Sequence, residues 1–208
     1  MVAEQYRCLL GDVLPALEAE GIIIRGVKDL SDADRRHVHG VFHREVFPVL
    51  TPLAVDPGHP FPHLLNKSLN LAVLLKRPRD DERLLAVVQV PSVLPRFVSL
   101  PAEKGHVFTP LEAVIRLHLS ELFPGMTIDQ AVVFRVSRDS EYEIEDDEVE
   151  DLLKTIEEEV RKRRRGAAVR LEIEAGVPAE VEQVLMTALD LELIDVYPTP
   201  GLDRKSVV

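Results

Sequence analysis

Three histidines, His37, His39 and His43, lie close together in the chain, and the last two are one helical turn apart. Two histidines at positions i and i+4 of a helix can bind one metal ion. A zinc-protease helix also needs a glutamate directly after the first histidine as the general base. Gly40 stands in that position. The residue types therefore favour ordinary surface histidines, and no metal site is predicted.

Arg135 and Arg138 flank the end of a predicted strand and are followed by Asp139. Two guanidinium groups at a strand end can converge on an oxyanion, and a neighbouring carboxylate can orient one of them. The alternative is an internal ion pair. The residues leave both interpretations open.

Asp56, His59 and His63 belong to the proline-dense segment DPGHPFPH, which is an unusual stretch of the chain. Two histidines beside a carboxylate can act in catalysis or bind phosphate. The prolines equally indicate a rigid elbow that positions two domains. The second interpretation is favoured.

Two charge runs, the acidic Glu141–Asp151 and the basic Arg161–Arg165, lie one after the other. The acidic run lacks the glycine and the alternating oxygen ligands of an EF-hand loop. Acids at the start and bases at the end of one helix match the helix dipole. The sequence therefore favours a helix over a calcium site, and over a phosphate-gripping role for the basic run.

The composition narrows the possible classes of protein. The 208 residues are 46% hydrophobic and carry a formal net charge of −11, which disfavours nucleic acid and anionic lipid as general partners. The single cysteine, Cys8, excludes an internal disulfide framework and a cysteine-based zinc site. No apolar run approaches the roughly 20 residues of a membrane span. The expectation is a soluble cytoplasmic protein with no transmembrane segment.

Helical periodicity and end signals predict the helices. The predicted helices cover residues 4–19, 31–47, 109–122, 145–165 and 178–189. Ser31 with Asp34 three residues later is a typical helix start. Thr109 is predicted as the N-cap of the third helix, with Pro110 at its first position and Glu112 at its third.

Short apolar and β-branched runs predict the strands, and the proline-dense segment Pro48–Pro62 is predicted as a stiff connector rather than a central strand. The predicted strands cover residues 21–25, 69–75, 84–90, 97–98, 107–108, 127–136, 169–173 and 193–197. The fold class is therefore α+β: a mixed or antiparallel sheet with packed helices, preceded by a short helical segment.

Six segments, taken in order, resemble one bacterial family. They are Phe47–His63 (FPVLTPLAVDPGHPFPH), Asn66–Val73, Val90–Val98, Leu122–Gly125, Phe134–Asp139 and Ala168–Glu172. Together they are similar to the polyphosphate kinases that phosphorylate themselves on histidine and make polyphosphate from ATP. The resemblance implies a fragment of a longer enzyme: residues 1–47 would end an N-terminal helical domain, 48–202 would form the head or middle domain, and 203–208 would be a non-native tail.

The resemblance also implies which functional groups are missing. The phosphorylated histidine, its partner histidine and the magnesium-binding arginines of the family belong to C-terminal domains whose motifs are not in this sequence. No catalytic residue is therefore assigned, and ATP and Mg²⁺ are expected to serve the complete enzyme rather than bind this fragment. The head domain is implied to support dimerisation and to wall the tunnel in which polyphosphate grows.

Arg135, Arg138 and Lys67 are the candidates for facing that polyphosphate track, because a polyanion needs local basic residues even on an acidic protein. The expected partners are polyphosphate and ATP through the complete enzyme and a second copy in a homo-oligomer, but not nucleic acid. The alternative is a non-enzymatic dimerisation or assembly module with no anion binding, in which the arginines form internal ion pairs.

Overall fold

The computed structural model describes residues 2–55, 61–78, 83–139 and 166–200. Its helices are α1 (Val2–Cys8), α2 (Leu14–Ala19), α3 (Asp32–Val41), α4 (Leu111–Leu117), α5 (Leu119–Leu122) and α6 (Ala179–Leu189). Its strands are β1 (Ile22–Ile24), β2 (Pro52–Val55), β3 (Leu69–Lys76), β4 (Arg83–Gln89), β5 (Phe97–Leu100), β6 (His106–Pro110), β7 (Thr127–Arg138), β8 (Ala168–Glu174) and β9 (Val196–Thr199). The predicted α+β fold class is confirmed.

The helical N-terminal segment matches its prediction. A π-helical turn, Leu9–Val13, joins α1 to α2, so residues 2–19 run as one helical stretch. Ser31 also begins α3 as predicted, and the structure adds a capping box: the Asp34 backbone N–H donates to Ser31 Oγ (3.2 Å), and the Ser31 backbone N–H donates to the Asp34 carboxylate (3.0 Å). A second π-helical turn, Phe42–Val46, extends α3 toward Pro48, which is where the helix was predicted to stop.

A six-stranded sheet has the order β2-β4-β3-β7-β8-β9. Its neighbours are antiparallel except for the parallel pair of β8 and β9. Alternate residues of β3 enter two different cores: Leu71 and Val73 pack on the side of α3 and α4, and Ala72 and Leu74 pack on the side of α6. Because both faces are covered, β3 is a nearly continuous apolar run.

A three-stranded sheet of order β1-β6-β5 connects the N-terminal segment to the start of α4. Thr109 lies inside β6, is fully buried and donates its hydroxyl to the Arg25 carbonyl (2.9 Å). The prediction that Thr109 caps the helix is therefore wrong: Pro110 occupies the N-cap position without a side-chain cap. Glu112, expected near that cap, instead pairs with Arg96.

Three further local predictions need correction. The proline-dense connector contains the edge strand β2, and Pro52 stands at its first position, where a missing N–H is tolerated. The helix predicted to run to Leu122 is interrupted at His118, which has non-helical backbone angles between α4 and α5. The strand predicted over 193–197 begins only at Val196, after the 3₁₀ turn Leu193–Asp195.

Several predictions fall outside the described residues. They are the helix over 145–165 with its acidic and basic runs, the tail 203–208, and Asp56 and His59 of the elbow. Within the described ranges, no helix combines the length and apolarity that crossing a bilayer requires.

Candidate anion site

The loop before β3 lies along the end of β7 and brings two of the three candidate residues together. The Lys67 backbone N–H donates to the Val136 carbonyl (2.8 Å), and the Arg138 backbone N–H donates to Asn66 Oδ1 (3.0 Å). Lys67 has a positive φ of 60° and an exposed side chain. Lys67 and Arg138 therefore share one end of the six-stranded sheet.

Arg138 fastens two chain segments through its guanidinium group. Its Nε donates to the Leu64 carbonyl (2.8 Å), and its Nη1 donates to the Gly166 carbonyl (2.7 Å). Burial lowers the pKa of Arg138, although an arginine stays charged at neutral pH. A guanidinium has five N–H groups. The remaining N–H groups of Arg138 make no hydrogen bond to any residue that the structure describes.

A cavity of about 320 Å³ opens beside Arg138. Its lining residues are Phe61, Pro62, His63, Arg138, Ala167, Ala168, Ala188, Leu189 and Asp190. Burial, and then the charge of Arg138, lower the pKa of His63, so its imidazole is neutral at pH 7. The Asp190 carboxylate, which also lines the cavity, opposes anion binding inside it.

Arg135 lies on the other face of the sheet. Its residue exposure is only 3%, and its Nη1 lies 3.5 Å from Glu172 Oε2 on the neighbouring strand β8. Burial is the main cause that lowers its pKa. Arg138 follows Phe134 and Val136 in the alternation of β7, so it faces the α6 side and lines the cavity there. The structure therefore does not bring Arg135 and Arg138 together on one oxyanion.

The pairing of Arg135 is part of a larger internal charge network. Glu172 also binds Arg170 (2.8 Å), and Arg96 forms a two-bonded pair with Glu112. Burial, and then repulsion from Arg135, lower the pKa of Arg96 to about 10. Arg135 therefore lies inside an internal ion-pair network.

A second cluster was missed by sequence reasoning. His39 and His43, both recognised as a helical pair, meet His118 and Glu121 from the α4–α5 segment. The one sequence feature that points to the second half of this cluster is the position of His118 and Glu121, three residues apart on a predicted helix. Nothing local, however, indicates which helix they face. This nitrogen-rich set does not suit Mg²⁺, which prefers oxygen ligands, so no described residue set is assigned to the Mg²⁺ that the resemblance implies.

Comparisons with known proteins identify the family. The family model described as the polyphosphate kinase middle domain matches residues 33–206. The chain belongs to this polyphosphate kinase family. The predicted family resemblance is therefore confirmed.

Individual relatives agree with this assignment. A polyphosphate kinase of Synechocystis is 50% identical over 196 residues, which cover 89% of this chain and 27% of that protein. One of Thermosynechococcus vestitus is 44% identical over 208 residues, covering 97% and 28% respectively. The crystal structure of a polyphosphate kinase from Porphyromonas gingivalis has a TM-score of 0.77 at 25% identity, covering 97% of this chain and 28% of that one. The chain thus spans about a quarter of the length of these relatives.

Proposed function

We propose that this chain is the part of a polyphosphate kinase that walls the polyphosphate track and supports dimerisation. The complete enzyme reversibly transfers the terminal phosphate of ATP to polyphosphate, with ATP and Mg²⁺ bound outside this part and the catalytic histidine also elsewhere. The match of residues 33–206 to the polyphosphate kinase middle domain carries this proposal. This part supplies no catalytic residue.

The polyphosphate contact is proposed at the sheet end where Lys67 and Arg138 lie. Lys67 offers an exposed ammonium group, and Arg138 is held by the Leu64 and Gly166 carbonyls with N–H groups to spare. Such a pre-positioned guanidinium matches phosphate oxygens well. Arg135 is buried against Glu172, so it supports the strand that carries Arg138 rather than contacting the track.

A binding titration tests this contact. We expect the 208-residue chain to bind fluorescently labelled polyphosphate, with an affinity that falls as salt is raised. Lys67→Gln should weaken binding roughly three- to tenfold, about 1 kcal/mol, because one phosphate-facing charge is lost. The matched control is Lys104→Gln, which removes an exposed charge from the β5–β6 loop. Equal losses in both variants, or no binding by the parent chain, would contradict the proposed contact.

An activity assay tests the assignment of the chemistry. The 208-residue chain is expected to make no polyphosphate from ATP and Mg²⁺. In a complete enzyme, Arg138→Ala is expected to lower turnover with long polyphosphate chains while changing the stability of the fold less. Synthesis by the chain alone would place the chemistry among residues described above as structural.

The second candidate, an assembly module without anion binding, has one observation in its favour. Phe47, directly before the prolyl segment, and Val49 and Leu53 within it remain 44%, 43% and 42% exposed, and dimer interfaces bury exposed apolar side chains of this kind. Sedimentation velocity across a concentration series separates the two functions. A concentration-dependent dimer that does not bind polyphosphate supports the assembly module, whereas a dimer that binds it supports the first proposal.

A further inference from the structure

Three histidines and a glutamate from two helical segments meet on the side of the six-stranded sheet that α3 and α4 cover. His39 is on α3 and His43 on the π-helical turn that follows it, while His118 and Glu121 belong to the α4–α5 segment. The Arg138 cavity lies against the opposite core of the sheet, which contains Leu189. This cluster is therefore separate from the proposed polyphosphate contact.

The spacing of the ligand atoms suits a small cation. His39 Nδ1 lies 3.3 Å from His118 Nε2 and 3.9 Å from Glu121 Oε1, and the three ligand atoms lie within 4.8 Å of one another. In a tetrahedral zinc site with Zn–N bonds of about 2.0–2.1 Å, neighbouring ligand atoms are about 3.3 Å apart. The two histidines already have that separation. The exposed Glu121 side chain can close the longer distance by rotating.

The surroundings of His118 prepare it to be a ligand. Its Nδ1 lies 2.8 Å from the Val114 carbonyl, which accepts a hydrogen bond from that nitrogen and leaves the Nε2 lone pair facing His39. The ring is buried and stacks on Phe42, with centroids 4.2 Å apart and an interplanar angle of 10°. Metal-bound histidines generally have such a backbone partner on the other nitrogen, which sets the tautomer and the ring orientation.

His43 orients the Glu121 carboxylate, as the Val114 carbonyl orients His118. Its Nε2 lies 3.0 Å from Glu121 Oε2, so the other oxygen, Oε1, is the one directed toward His39. The side chains of His39 and Glu121 are 58% and 36% exposed, which lets an ion enter from solvent and leaves room for water in the fourth position. Imidazole nitrogens favour zinc and similar transition metals over Mg²⁺ or Ca²⁺.

We propose that His39 Nδ1, His118 Nε2 and Glu121 Oε1 bind one Zn²⁺ ion, with His43 orienting Glu121. The ion joins α3 to the α4–α5 segment. Its two histidine ligands, His39 and His118, are 79 positions apart in sequence. It therefore cross-links the N-terminal helical part of the chain to the part that carries the sheet. The site does not depend on the proposed polyphosphate function.

Metal titration of the 208-residue chain, first stripped with a chelator, tests the site. We expect one Co²⁺ per chain with the visible absorption of four-coordinate cobalt, and its displacement by Zn²⁺ but not by Mg²⁺. Zn²⁺ at a hundredfold excess over its Kd should raise the Tm by roughly 5–10 °C. Absence of stoichiometric binding would overturn the proposal.

Variants identify the ligands. Glu121→Gln and His39→Ala alter exposed side chains, so the fold should survive, and each is expected to abolish the cobalt spectrum. His43→Ala should weaken Zn²⁺ binding roughly 10–100-fold, as expected for a group that orients a ligand. His37→Ala, on the same helix but outside the cluster, is the control and should bind like the parent chain. Parent-like binding by both His39→Ala and Glu121→Gln, or an equal loss in His37→Ala, would contradict the assignment.

Discussion

Asp34 shows how one buried side chain anchors a helix. Its carboxylate accepts hydrogen bonds from the Ser31 hydroxyl (2.7 Å), the Ser31 backbone N–H (3.0 Å) and Arg25 Nη1 (2.7 Å), and the residue is 3% exposed. Burial by itself would raise the pKa of Asp34, but the bonds from Ser31 and Arg25 outweigh it and hold the pKa below its usual 3.8. The ionised carboxylate therefore stabilises the fold.

This arrangement predicts a pH-dependent effect of Asp34→Asn. Because the folded-state pKa is lowered, the contribution of Asp34 is fully present above its unfolded pKa and is lost as the pH falls through the folded value. At pH 7 the substitution should lower the free energy of unfolding by about 2 kcal/mol. The difference from the parent chain should persist at pH 5 and shrink below about pH 4.

Urea unfolding at pH 7, 5 and 3.5 measures the effect of Asp34→Asn. Asp32→Asn is the matched control, because Asp32 is an exposed acid in the same first turn. Similar losses of stability in the two variants, or a loss for Asp34→Asn that grows toward low pH, would show that the buried carboxylate is not the anchor.

At the scale of elements, the backbone is tightly packed where β1 meets the loop before β6. Gly105 has a φ of +75°, and a Cβ placed on it would lie 2.4 Å from the Gly21 carbonyl oxygen. That same oxygen accepts a hydrogen bond from the His106 backbone N–H (2.7 Å). A side chain at Gly105 would therefore disturb the first bond of the β1–β6 pairing.

We expect Gly105→Ala to destabilise the protein more than Gly176→Ala. Gly176 has a similar φ of +80°, but nothing lies within 4 Å of its Cβ position. Gly176→Ala should therefore lower the free energy of unfolding only by the cost of holding an L-residue in the left-handed conformation, roughly 1–2 kcal/mol. Gly105→Ala adds the backbone clash, and urea unfolding should show a loss at least twice as large. Equal losses would mean that the β1–β6 junction relaxes without cost.

At the scale of the whole molecule, one sheet separates two cores. Ile115 and Phe42 belong to the core on the α3–α4 side, and Phe134 and Leu185 to the core on the α6 side. Because β3, β4 and β7 contribute residues to both cores, loss of either core removes support from the same strands. The two cores should therefore unfold together.

Substitutions in either core should accordingly shift a single unfolding transition. We expect Ile115→Ala to cost roughly 2–5 kcal/mol and Phe134→Ala roughly 3–5 kcal/mol, since both side chains are at most 1% exposed. Circular dichroism and tyrosine fluorescence should report coincident transitions in each variant. Val169→Ala, at a 49% exposed position, should change the free energy of unfolding by less than about 0.5 kcal/mol. Separate transitions for the two probes would indicate independent cores.

Local chain chemistry was sufficient for most elements of this protein. Periodicity and end signals located the helix over residues 4–19, the capped helix after Ser31 and the hairpin of β3 and β4, because capping and side-chain alternation depend on residues only a few positions apart. Six ordered segments were also enough to recognise the family, which the match over residues 33–206 confirms.

Tertiary structure decided what depends on partners distant in sequence. It paired β1 with β6 in parallel, placed Thr109 in a strand, turned Arg135 toward Glu172 and brought His118 and Glu121 to His39. Each outcome is fixed by which faces are buried against each other, a balance summed over contacts between residues as distant in sequence as Arg25 and Thr109, which are 84 positions apart. Local sequence patterns show which side chains are available, whereas only the packed structure shows which of them are in contact.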